Sequence, residues 1–445
     1  MTIQREPATS IGVDPEQTEV GSVFVSNYPP YSFWTPEVAG QVPDLLDTAP
    51  AEGAVLGQYV HIPFCRKRCK FCYFRVYTDK NSKDVERYID AVAKEIRLYA
   101  ERPGVRGRKP SFIYFGGGTP SFISGRHLAR LVDEMKAALT WDGVREVTFE
   151  CEPGTLTRPK LETIRKIGVT RLSLGVENFD DHILQENGRA HVSKEIYRVA
   201  PWIRELDFPQ VNIDLIAGMV GENWDTWKDS VRKSIEFAPD SVTIYQMELP
   251  FNTVYSGQLL DGTGQPAIAD WATKREWHDY AITELESAGY EIGSGYTMVR
   301  RGKSVPFVYR DSVWEGCDLI GSGVSSFSHF GGMHFQNLSN WDRYLEHIDA
   351  GRFPVDRGML PTPDERLTRE MILQLKRGWI HAEYFRKKFS EEILDRYAPA
   401  FEGLAERGML TIEGEEVRLT RKGLLRVDGL LPEFYARKYQ NARYT

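Results

Sequence analysis

The stretch His61-Ile-Pro-Phe-Cys-Arg-Lys-Arg-Cys-Lys-Phe-Cys-Tyr-Phe74 places Cys65, Cys69 and Cys72 in a Cys-x3-Cys-x2-Cys pattern. Thiolate is the soft ligand that iron–sulfur clusters select, and a cluster of four irons normally takes four cysteines. Because no fourth cysteine lies near these three in the sequence, one iron would stay open to bind a substrate or cofactor. The spacing therefore predicts a reactive metal site with the three cysteines as its ligands.

A zinc ion with His61 as its fourth ligand is the main alternative to the cluster. Three buried cysteines with a purely structural role are another. Structural zinc sites usually show a second Cys pair at a distance, whereas Cys151 and Cys317 stand alone in unrelated contexts. The spacing thus favours an iron–sulfur cluster and leaves zinc open. The basic residues between the cysteines are expected to lower the pKa of the thiols and to offset cluster charge: Arg66, Lys67, Arg68 and Lys70.

Short apolar runs alternate with stretches of helical composition from Gly57 onward. The runs are residues 112–115, 147–149, 171–174, 211–216 and 242–245, and residues 85–99 are one of the helical stretches. This alternation predicts β/α units around a parallel sheet. Functional residues are then expected at the carboxyl ends of the strands.

Length and charge limit the class of protein. A chain of 445 residues with a net charge of −7 has scattered basic residues, which disfavours a nucleic-acid partner. It contains no run of 18 apolar residues and no secretory signal pattern, so we expect no membrane span and a cytoplasmic location. Five cysteines, three of them clustered, also favour a reducing compartment.

Six motifs in chain order carry a family resemblance. They are Asn27-Tyr-Pro-Pro30, Tyr59-Val-His-Ile-Pro-Phe-Cys65, Tyr114-Phe-Gly-Gly-Gly-Thr-Pro120, Arg171-Leu-Ser-Leu-Gly-Val-Glu177, Val211-Asn-Ile-Asp-Leu-Ile-Ala-Gly218 and Gly321-Ser-Gly-Val-Ser325. With them the chain resembles the radical S-adenosylmethionine (SAM) superfamily, and within it the oxygen-independent coproporphyrinogen III oxidase-like, or HemN-like, family. The resemblance covers nearly the whole chain.

The resemblance implies an α/β fold, a partial (β/α)6 radical SAM barrel with an N-terminal arm and a small C-terminal helix and hairpin domain. The expected divisions are an arm or lid over residues 1–55, the barrel core over 56–300, a barrel-completing segment over 301–360 and a HemN-like domain over 361–445. In the last of these, residues 364–377 and 391–407 read as helices, and residues 409–412 and 417–420 as a hairpin.

The resemblance also implies a 4Fe-4S cluster on Cys65, Cys69 and Cys72, and one SAM molecule or two. Gly117, Gly118 and Thr119 would hold the methionine end of the cofactor, since glycines permit close backbone approach. The other cofactor-binding positions that match the family are Tyr59, Phe71, Glu150, Glu177, Arg189, Asp214, Met247 and Phe327. Glu150 would bind the ammonium group or ribose, Arg189 the carboxylate and Asp214 the ribose. Glu177 stands where the family commonly has Gln, which adds a negative charge.

The branch of the family is less clear from the motifs. Cys72-Tyr73-Phe74 lacks the further cysteine usual in coproporphyrinogen oxidases, and Gln336 replaces the histidine expected of a haem chaperone. The Cys-x-Phe-Cys-x-Phe form favours, slightly, methyl or methylene transfer with a second SAM. Decarboxylation of coproporphyrinogen III and non-catalytic haem carriage stay as alternatives. The expected partners are a small organic substrate and a reductant such as flavodoxin or ferredoxin.

Overall fold

A twelve-stranded sheet organises most of the chain in the computed structural model, which describes residues 17–303, 305–440 and 442. Its strands run in the order β12-β11-β10-β9-β1-β2-β3-β4-β5-β6-β8-β7, and a second sheet has the order β13-β15-β14. The strands are β1 (Leu56–Ile62), β2 (Pro110–Gly117), β3 (Glu146–Cys151), β4 (Arg171–Glu177), β5 (Gln210–Ala217), β6 (Ser241–Gln246), β7 (Tyr290–Ile292), β8 (Thr297–Arg300), β9 (Asp318–Ser322), β10 (Phe327–Phe330), β11 (Met333–Asn337), β12 (Val355–Met359), β13 (Trp379–His381), β14 (Leu410–Glu413) and β15 (Glu416–Leu419).

Helices connect and cover these strands. They are α1 (Pro36–Ala39), α2 (Val42–Leu46), α3 (Ser82–Ala100), α4 (Gly125–Ala138), α5 (Arg158–Lys166), α6 (Asp181–Glu186), α7 (Ser193–Glu205), α8 (Trp224–Phe237), α9 (Val254–Leu260), α10 (Trp271–Ser287), α11 (Val308–Trp314), α12 (Trp341–Asp349), α13 (Pro363–Leu375), α14 (Ala382–Phe389), α15 (Ile393–Arg396), α16 (Ala398–Glu406), α17 (Arg421–Leu424) and α18 (Val427–Leu430). Short 3-10 helices cover Tyr31–Phe33, Pro120–Phe122, Pro153–Thr155, Leu431–Phe434 and Arg437–Tyr439.

Seven neighbouring strands are parallel, from β9 through β1 to β6, and antiparallel strands extend both edges. Successive side chains of a strand point to opposite faces of the sheet, so residues two apart in these strands share one face. On β4, Leu172, Leu174 and Val176 pack into the apolar core beneath the helices, whereas Arg171 and Ser173 line an interior cavity. The predicted α/β fold with a parallel sheet is therefore confirmed, and β9 adds a seventh parallel strand beside β1.

The C-terminal segment forms its own apolar core around α13 to α18 and the small sheet. The single helix predicted over residues 391–407 is wrong. It is two helices, α15 and α16, that meet at Tyr397, because Pro399 in the first turn of α16 has no N–H to continue the hydrogen bonding of α15. The hairpin at Gly414 is present, and β13 adds a third strand to it.

The part of the predicted arm that the structure describes runs from residue 17 and crosses from the segment after β6 to β12 at one edge of the main sheet. Gly21 N–H donates to the Leu249 carbonyl just after β6, at 2.8 Å. Thr35 and Gly358 on β12 exchange two backbone hydrogen bonds, each 2.8 Å long. Residues 1–16 of the predicted arm lie outside the described residues. The remaining boundaries of the predicted segments stay predictions.

Within the described residues, no helix is both long enough and apolar enough to cross a lipid bilayer.

Candidate functional site

One cavity of about 1380 Å³ occupies the interior and carboxyl end of the parallel sheet. The arm, the cysteine loop and residues of the C-terminal segment also line it. Every site residue predicted from the sequence lies on its wall: Tyr59, Cys65, Cys69, Phe71, Cys72, Gly117, Gly118, Thr119, Glu150, Glu177, Arg189, Asp214, Met247 and Phe327. Positions spread over 269 residues of sequence (327 − 59 = 268, plus one) are thus brought to one space.

The cysteine loop follows β1 directly and is held at both ends by backbone hydrogen bonds. Cys65 N–H donates to the Tyr77 carbonyl at 3.1 Å, and Lys70 N–H donates to the Asn187 carbonyl at 3.0 Å. All three cysteines are partly exposed, and the Cys65 sulfur lies 3.3 Å from the Thr119 hydroxyl. The loop therefore presents its thiols to the cavity on a fixed backbone.

The expected lowering of the thiol pKa is wrong for the protein without a bound metal. Burial raises the pKa of Cys65 to about 11 and that of Cys72 to about 12. The neighbouring cations are directed at other partners, since Arg66 pairs with Glu152 and Lys70 pairs with Glu186. Metal binding would have to supply the positive charge that deprotonates these thiols.

The donor set suits a cluster better than a single zinc ion. Zinc needs four donors at about 2.0–2.3 Å from one point. Among the described residues, no three His, Cys, Asp or Glu side chains converge closely enough to hold one ion. His61, the suggested fourth zinc ligand, instead has its Nδ1 3.1 Å from the Tyr59 hydroxyl. A cluster of four irons takes one thiolate per iron and does not require that convergence.

The Gly116–Gly118 stretch at the end of β2 is packed too tightly for any side chain. Gly117 has a φ of 113°, and a Cβ there would lie 2.6 Å from the His61 ring. A Cβ at Gly118 would lie 2.9 Å from the carbonyl carbon of Pro63 and 3.0 Å from the Ile62 oxygen. The glycines thus let β2 approach the start of the cysteine loop and leave backbone groups facing the cavity.

Three buried carboxyl groups face the same region. The Tyr114 hydroxyl donates to Glu150 at 2.6 Å, and Ser173 and Asn212 donate to Asp214 at 3.1 and 2.9 Å. Burial raises the pKa of Glu150 to about 7 and raises that of Asp214 as well. Glu150 consequently changes charge near neutral pH unless a cationic or hydroxyl-bearing ligand stabilises its carboxylate form.

The third carboxyl group belongs to Glu177, which lies beside Arg189. Glu177 ends β4 with a φ of 63°, at an irregularity in the pairing with β5, and lies 3.5 Å from the Arg189 guanidinium. Burial raises the pKa of Glu177 to about 7. Arg189 also donates to the Gly175 carbonyl at 2.7 Å, while its buried Nε has no partner among the described residues. That unsatisfied donor, on the wall of the same cavity, fits a cofactor carboxylate.

Three apolar predicted positions, Phe71, Met247 and Phe327, lie on two sides of the cavity. Phe71 packs against the apolar cluster that contains Met247, near the cysteine loop. Phe327 lies across the cavity, with its ring centroid 4.6 Å from that of Tyr31 on the arm and 5.7 Å from that of Trp34. The arm therefore forms the wall at Phe327.

Several charged groups at the site were missed by the sequence reasoning. Although burial opposes it, His191 and the charge of Arg66 lower the pKa of Glu152 to about 2, so this carboxylate anchors the cysteine loop. The only sequence signal for it is the pair of acids in Glu150-Cys-Glu152 at a strand end. Arg171, the first residue of the fourth motif quoted above, also faces the cavity and was given no role.

Comparisons with known proteins agree with this geometry. Residues 59–233 match the family model of the radical SAM superfamily, and residues 362–426 match that of the HemN C-terminal domain. The two matched regions contain the cysteine loop through α8 and most of the C-terminal core.

Curated relatives and a solved structure extend the match to most of the chain. The haem chaperone HemW of Bacillus subtilis is 26% identical over 82% of this chain and 96% of that protein. The oxygen-independent coproporphyrinogen III oxidase of Escherichia coli is 26% identical over 87% of both chains. The structure of HemN from Escherichia coli superposes with a TM-score of 0.78 at 22% identity, over 94% of this chain and 99% of that one, which shows the same fold. The chain therefore carries a region that matches the radical SAM superfamily and a HemN C-terminal domain, and over most of its length it is similar to HemN and HemW.

Proposed function

We propose that this chain binds a 4Fe-4S cluster through Cys65, Cys69 and Cys72 and generates a 5′-deoxyadenosyl radical from SAM to oxidise a small organic substrate. The observation that carries the proposal is that the three cysteines and eleven further candidate residues line one cavity. When bound, the cluster supplies the electron that cleaves SAM, and the radical removes hydrogen from a substrate C–H bond. The protein's own contribution is to hold the reactants and keep out water.

Different polar groups of the cavity are proposed to bind different parts of SAM. The Arg189 guanidinium, with its free Nε, would hold the methionine carboxylate. Glu150 would accept from the ammonium group or a ribose hydroxyl, and Asp214 from ribose. The backbone of Gly117 and Gly118 would lie against the methionine end. Tyr59, Phe71, Met247 and Phe327 would shape the apolar parts of the wall, and Thr119 would orient Cys65.

Glu177 is proposed to tune this site. In place of the Gln common in the family, it puts a second carboxyl 3.5 Å from Arg189. Ionised Glu177 would compete with the methionine carboxylate for that guanidinium, whereas protonated Glu177 would not. Its pKa, raised by burial to about 7, places the change near neutral pH.

Oxidative decarboxylation of coproporphyrinogen III is the reaction that we favour, in preference to methyl transfer. The curated relatives reported above are named as coproporphyrinogen oxidases or haem chaperones, and they lend no support to methyl transfer. A cavity of about 1380 Å³ exceeds the roughly 300–1,000 Å³ of ordinary ligand sites. It therefore has room for SAM together with a large substrate or a second SAM.

The test is anaerobic turnover of the reconstituted and reduced protein with coproporphyrinogen III and SAM, followed by mass spectrometry. The proposal expects 5′-deoxyadenosine together with products that have lost carboxyl groups as CO2. S-adenosylhomocysteine with a methylated product would instead establish methyl transfer. Binding stoichiometry of SAM, measured on the same preparation, decides between one molecule and two.

An acidic electron carrier such as flavodoxin or ferredoxin is the proposed reductant. Arg66, Lys67 and Arg68 of the cysteine loop are exposed, and the stacked rings of Tyr73 and Phe74 beside them are exposed too. A positive patch with aromatic residues suits a negatively charged partner. The five free thiols suit the cytoplasmic location predicted from the sequence.

Haem carriage is the second candidate because His329 and His334 lie side by side on the cavity wall. Their ring centroids are 4.7 Å apart, and the buried Nε2 of His334 has no partner among the described residues. Against haem carriage, Trp34 stacks on His334, and Gln336 holds the position of the expected ligand. Haem titration followed by absorption spectroscopy tests this candidate: a stoichiometric complex that H334A abolishes would favour it.

A further inference from the structure

Arg171 is a buried cation that the cofactor site does not use. It begins β4, is 3% exposed, and lies on the wall of the cavity. Among the described residues, no acceptor hydrogen-bonds its guanidinium and no carboxylate forms an ion pair with it. Its recorded contact is with the ring of Phe307, 4.1 Å from the guanidinium carbon. A buried charge without a hydrogen-bonded partner is costly, so a ligand is expected at this point.

The nearby acids are already satisfied by other donors. Glu146 accepts from the Thr148 hydroxyl at 2.9 Å and from the Val308 and Tyr309 amides at 2.7 and 3.3 Å. Asp214 accepts from Ser173 and Asn212. Both acids lie close enough to feel the charge of Arg171, yet neither contacts it. Glu146 therefore does not need Arg171 as a hydrogen-bonding partner, and its charge does not explain why the Arg171 guanidinium faces the open cavity.

A second arginine adds to the positive charge. The guanidinium carbon of Arg310 lies 5.7 Å from the same Phe307 ring, and Arg310 also lines the cavity. It is held by Asp311 and by the Gly293 carbonyl. Of these two arginines, Arg171 is therefore the one whose guanidinium has no hydrogen-bonded partner among the described residues. The ring of Phe307 limits how that guanidinium can turn.

The position of Arg171 on β4 separates it from the proposed radical chemistry. Gly175, whose carbonyl accepts from Arg189, is four residues further along the strand. Four residues of β-strand span about 13 Å. A group bound at Arg171 would therefore lie well away from the cysteine loop, deeper within the sheet.

We propose that Arg171, supported by Arg310, is a substrate subsite that binds a carboxylate remote from the C–H bond that reacts. The planar fork of an arginine matches a carboxylate with two parallel hydrogen bonds. The subsite rests on the proposed function, and it restricts the substrate class to molecules that carry a carboxylate on an arm long enough to reach β4. It would set the orientation of the substrate relative to the cysteine loop.

The experiment measures binding of coproporphyrin III, the stable oxidised form of the proposed substrate, by anaerobic fluorescence titration of the reconstituted protein. R171Q removes the charge, R171K keeps the charge but loses the fork, and R126Q is the control, since the Arg126 side chain is 83% exposed. Iron content and circular dichroism are compared for all four proteins. We expect at least tenfold weaker binding for R171Q, an intermediate loss for R171K and no change for R126Q. Equal binding by wild type and R171Q overturns the subsite.

A second ligand tests the subsite independently of whether coproporphyrinogen III is the substrate. If wild type does not bind coproporphyrin III, the proposed substrate fails, and the subsite is then tested with propane-1,2,3-tricarboxylate in a thermal-shift assay. A tricarboxylate that stabilises wild type and R126Q but not R171Q supports the subsite without the porphyrin. If it stabilises none of the proteins, or R171Q as well, the subsite is wrong.

Discussion

The Arg189 guanidinium lies 3.5 Å from the sulfur of Cys69, which links the cysteine loop to the end of β4. One side chain therefore faces a proposed cluster ligand and, with its free Nε, a proposed cofactor carboxylate. Lysine in its place keeps the charge but cannot make both contacts in a fixed plane.

We predict that R189Q weakens SAM binding at least tenfold and that R189K recovers only part of the loss. Equilibrium dialysis on anaerobic reconstituted protein measures this, with iron content recorded for each variant. R158Q serves as the control because Arg158 is half exposed on α5. If R189Q bound SAM as tightly as R158Q, the assignment of the carboxylate contact would be wrong.

In E177Q, which removes the opposing titration of Glu177, SAM affinity should fall as the pH is lowered through about 7, and the variants below are compared in that background. Burial raises the pKa of Glu150 to about 7, and its carboxylate form accepts hydrogen bonds from SAM more strongly than its protonated form. The hydrogen bond from Tyr114 lowers that pKa, so Y114F should raise it and move the midpoint to higher pH. A charge-assisted hydrogen bond of about 1.5–3 kcal/mol corresponds to a shift of about 1–2 pH units.

Y309F is the matched control for this pH dependence. The Tyr309 ring lies 4.2 Å from that of Tyr114, but its hydroxyl makes no hydrogen bond to Glu150. The SAM dissociation constant, followed across neutral pH, should show a shifted midpoint in Y114F alone. A midpoint that is the same in E177Q and E177Q/Y114F would remove Glu150 from the binding equilibrium.

Adding one methyl group at Gly118 should disturb the cysteine loop. In G118A the new Cβ meets the backbone of Ile62 and Pro63 at 3.0 and 2.9 Å, and backbone atoms cannot turn away as a flexible side chain can. We expect a clear loss of reconstituted iron and of SAM binding. In G403A, within α16, the added methyl meets nothing within 4 Å, so iron content and SAM binding should match wild type.

The arm is held by a buried ion pair that should matter for stability. Lys376 is 1% exposed, pairs with Asp428 at 2.9 Å, donates to the Val25 carbonyl at 2.6 Å and lies over the Phe24 ring. K376M would leave Asp428 buried without its cation, which costs about 3–5 kcal/mol. Urea unfolding measures the change, and limited proteolysis should cut the arm faster.

The exposed ion pair between Arg87 and Asp349 provides the comparison for that variant. R87M should lower the free energy of unfolding by no more than about 1 kcal/mol. Equal, small losses in K376M and R87M would mean that Lys376 does not fasten the arm.

The sequence predicted the parallel sheet well because its signal is local. Buried strands read as short apolar runs, and each predicted run lies inside a strand from β2 to β6. One helix was predicted where the structure has α15 and α16, because the local effect of Pro399 was overlooked. The motifs also identified fourteen site residues, all of which line the one cavity; most of them lie in a strand of the main sheet or in the loop after it.

Contacts between distant parts of the chain were not predictable in the same way. The arm meets Glu248 through Ser22 and Val23, more than two hundred residues away in sequence. The thiol pKa was predicted wrongly because burial, which raises it, depends on distant contacts, and because nearness in sequence does not fix where a basic side chain points: Arg66 turns to Glu152. Neither the positive φ of Glu177 nor the free guanidinium of Arg171 has a sequence signal.

The central claim is that Cys65, Cys69 and Cys72 hold a cluster that cleaves SAM. The direct test is to reconstitute wild type and the C65A/C69A/C72A variant anaerobically with iron and sulfide, reduce both, add SAM and quantify 5′-deoxyadenosine. C151A/C317A is the control, because these two buried cysteines lie outside the motif. We predict 5′-deoxyadenosine from wild type and the control and none from the triple variant. Formation of 5′-deoxyadenosine by the triple variant at the wild-type rate would contradict the account.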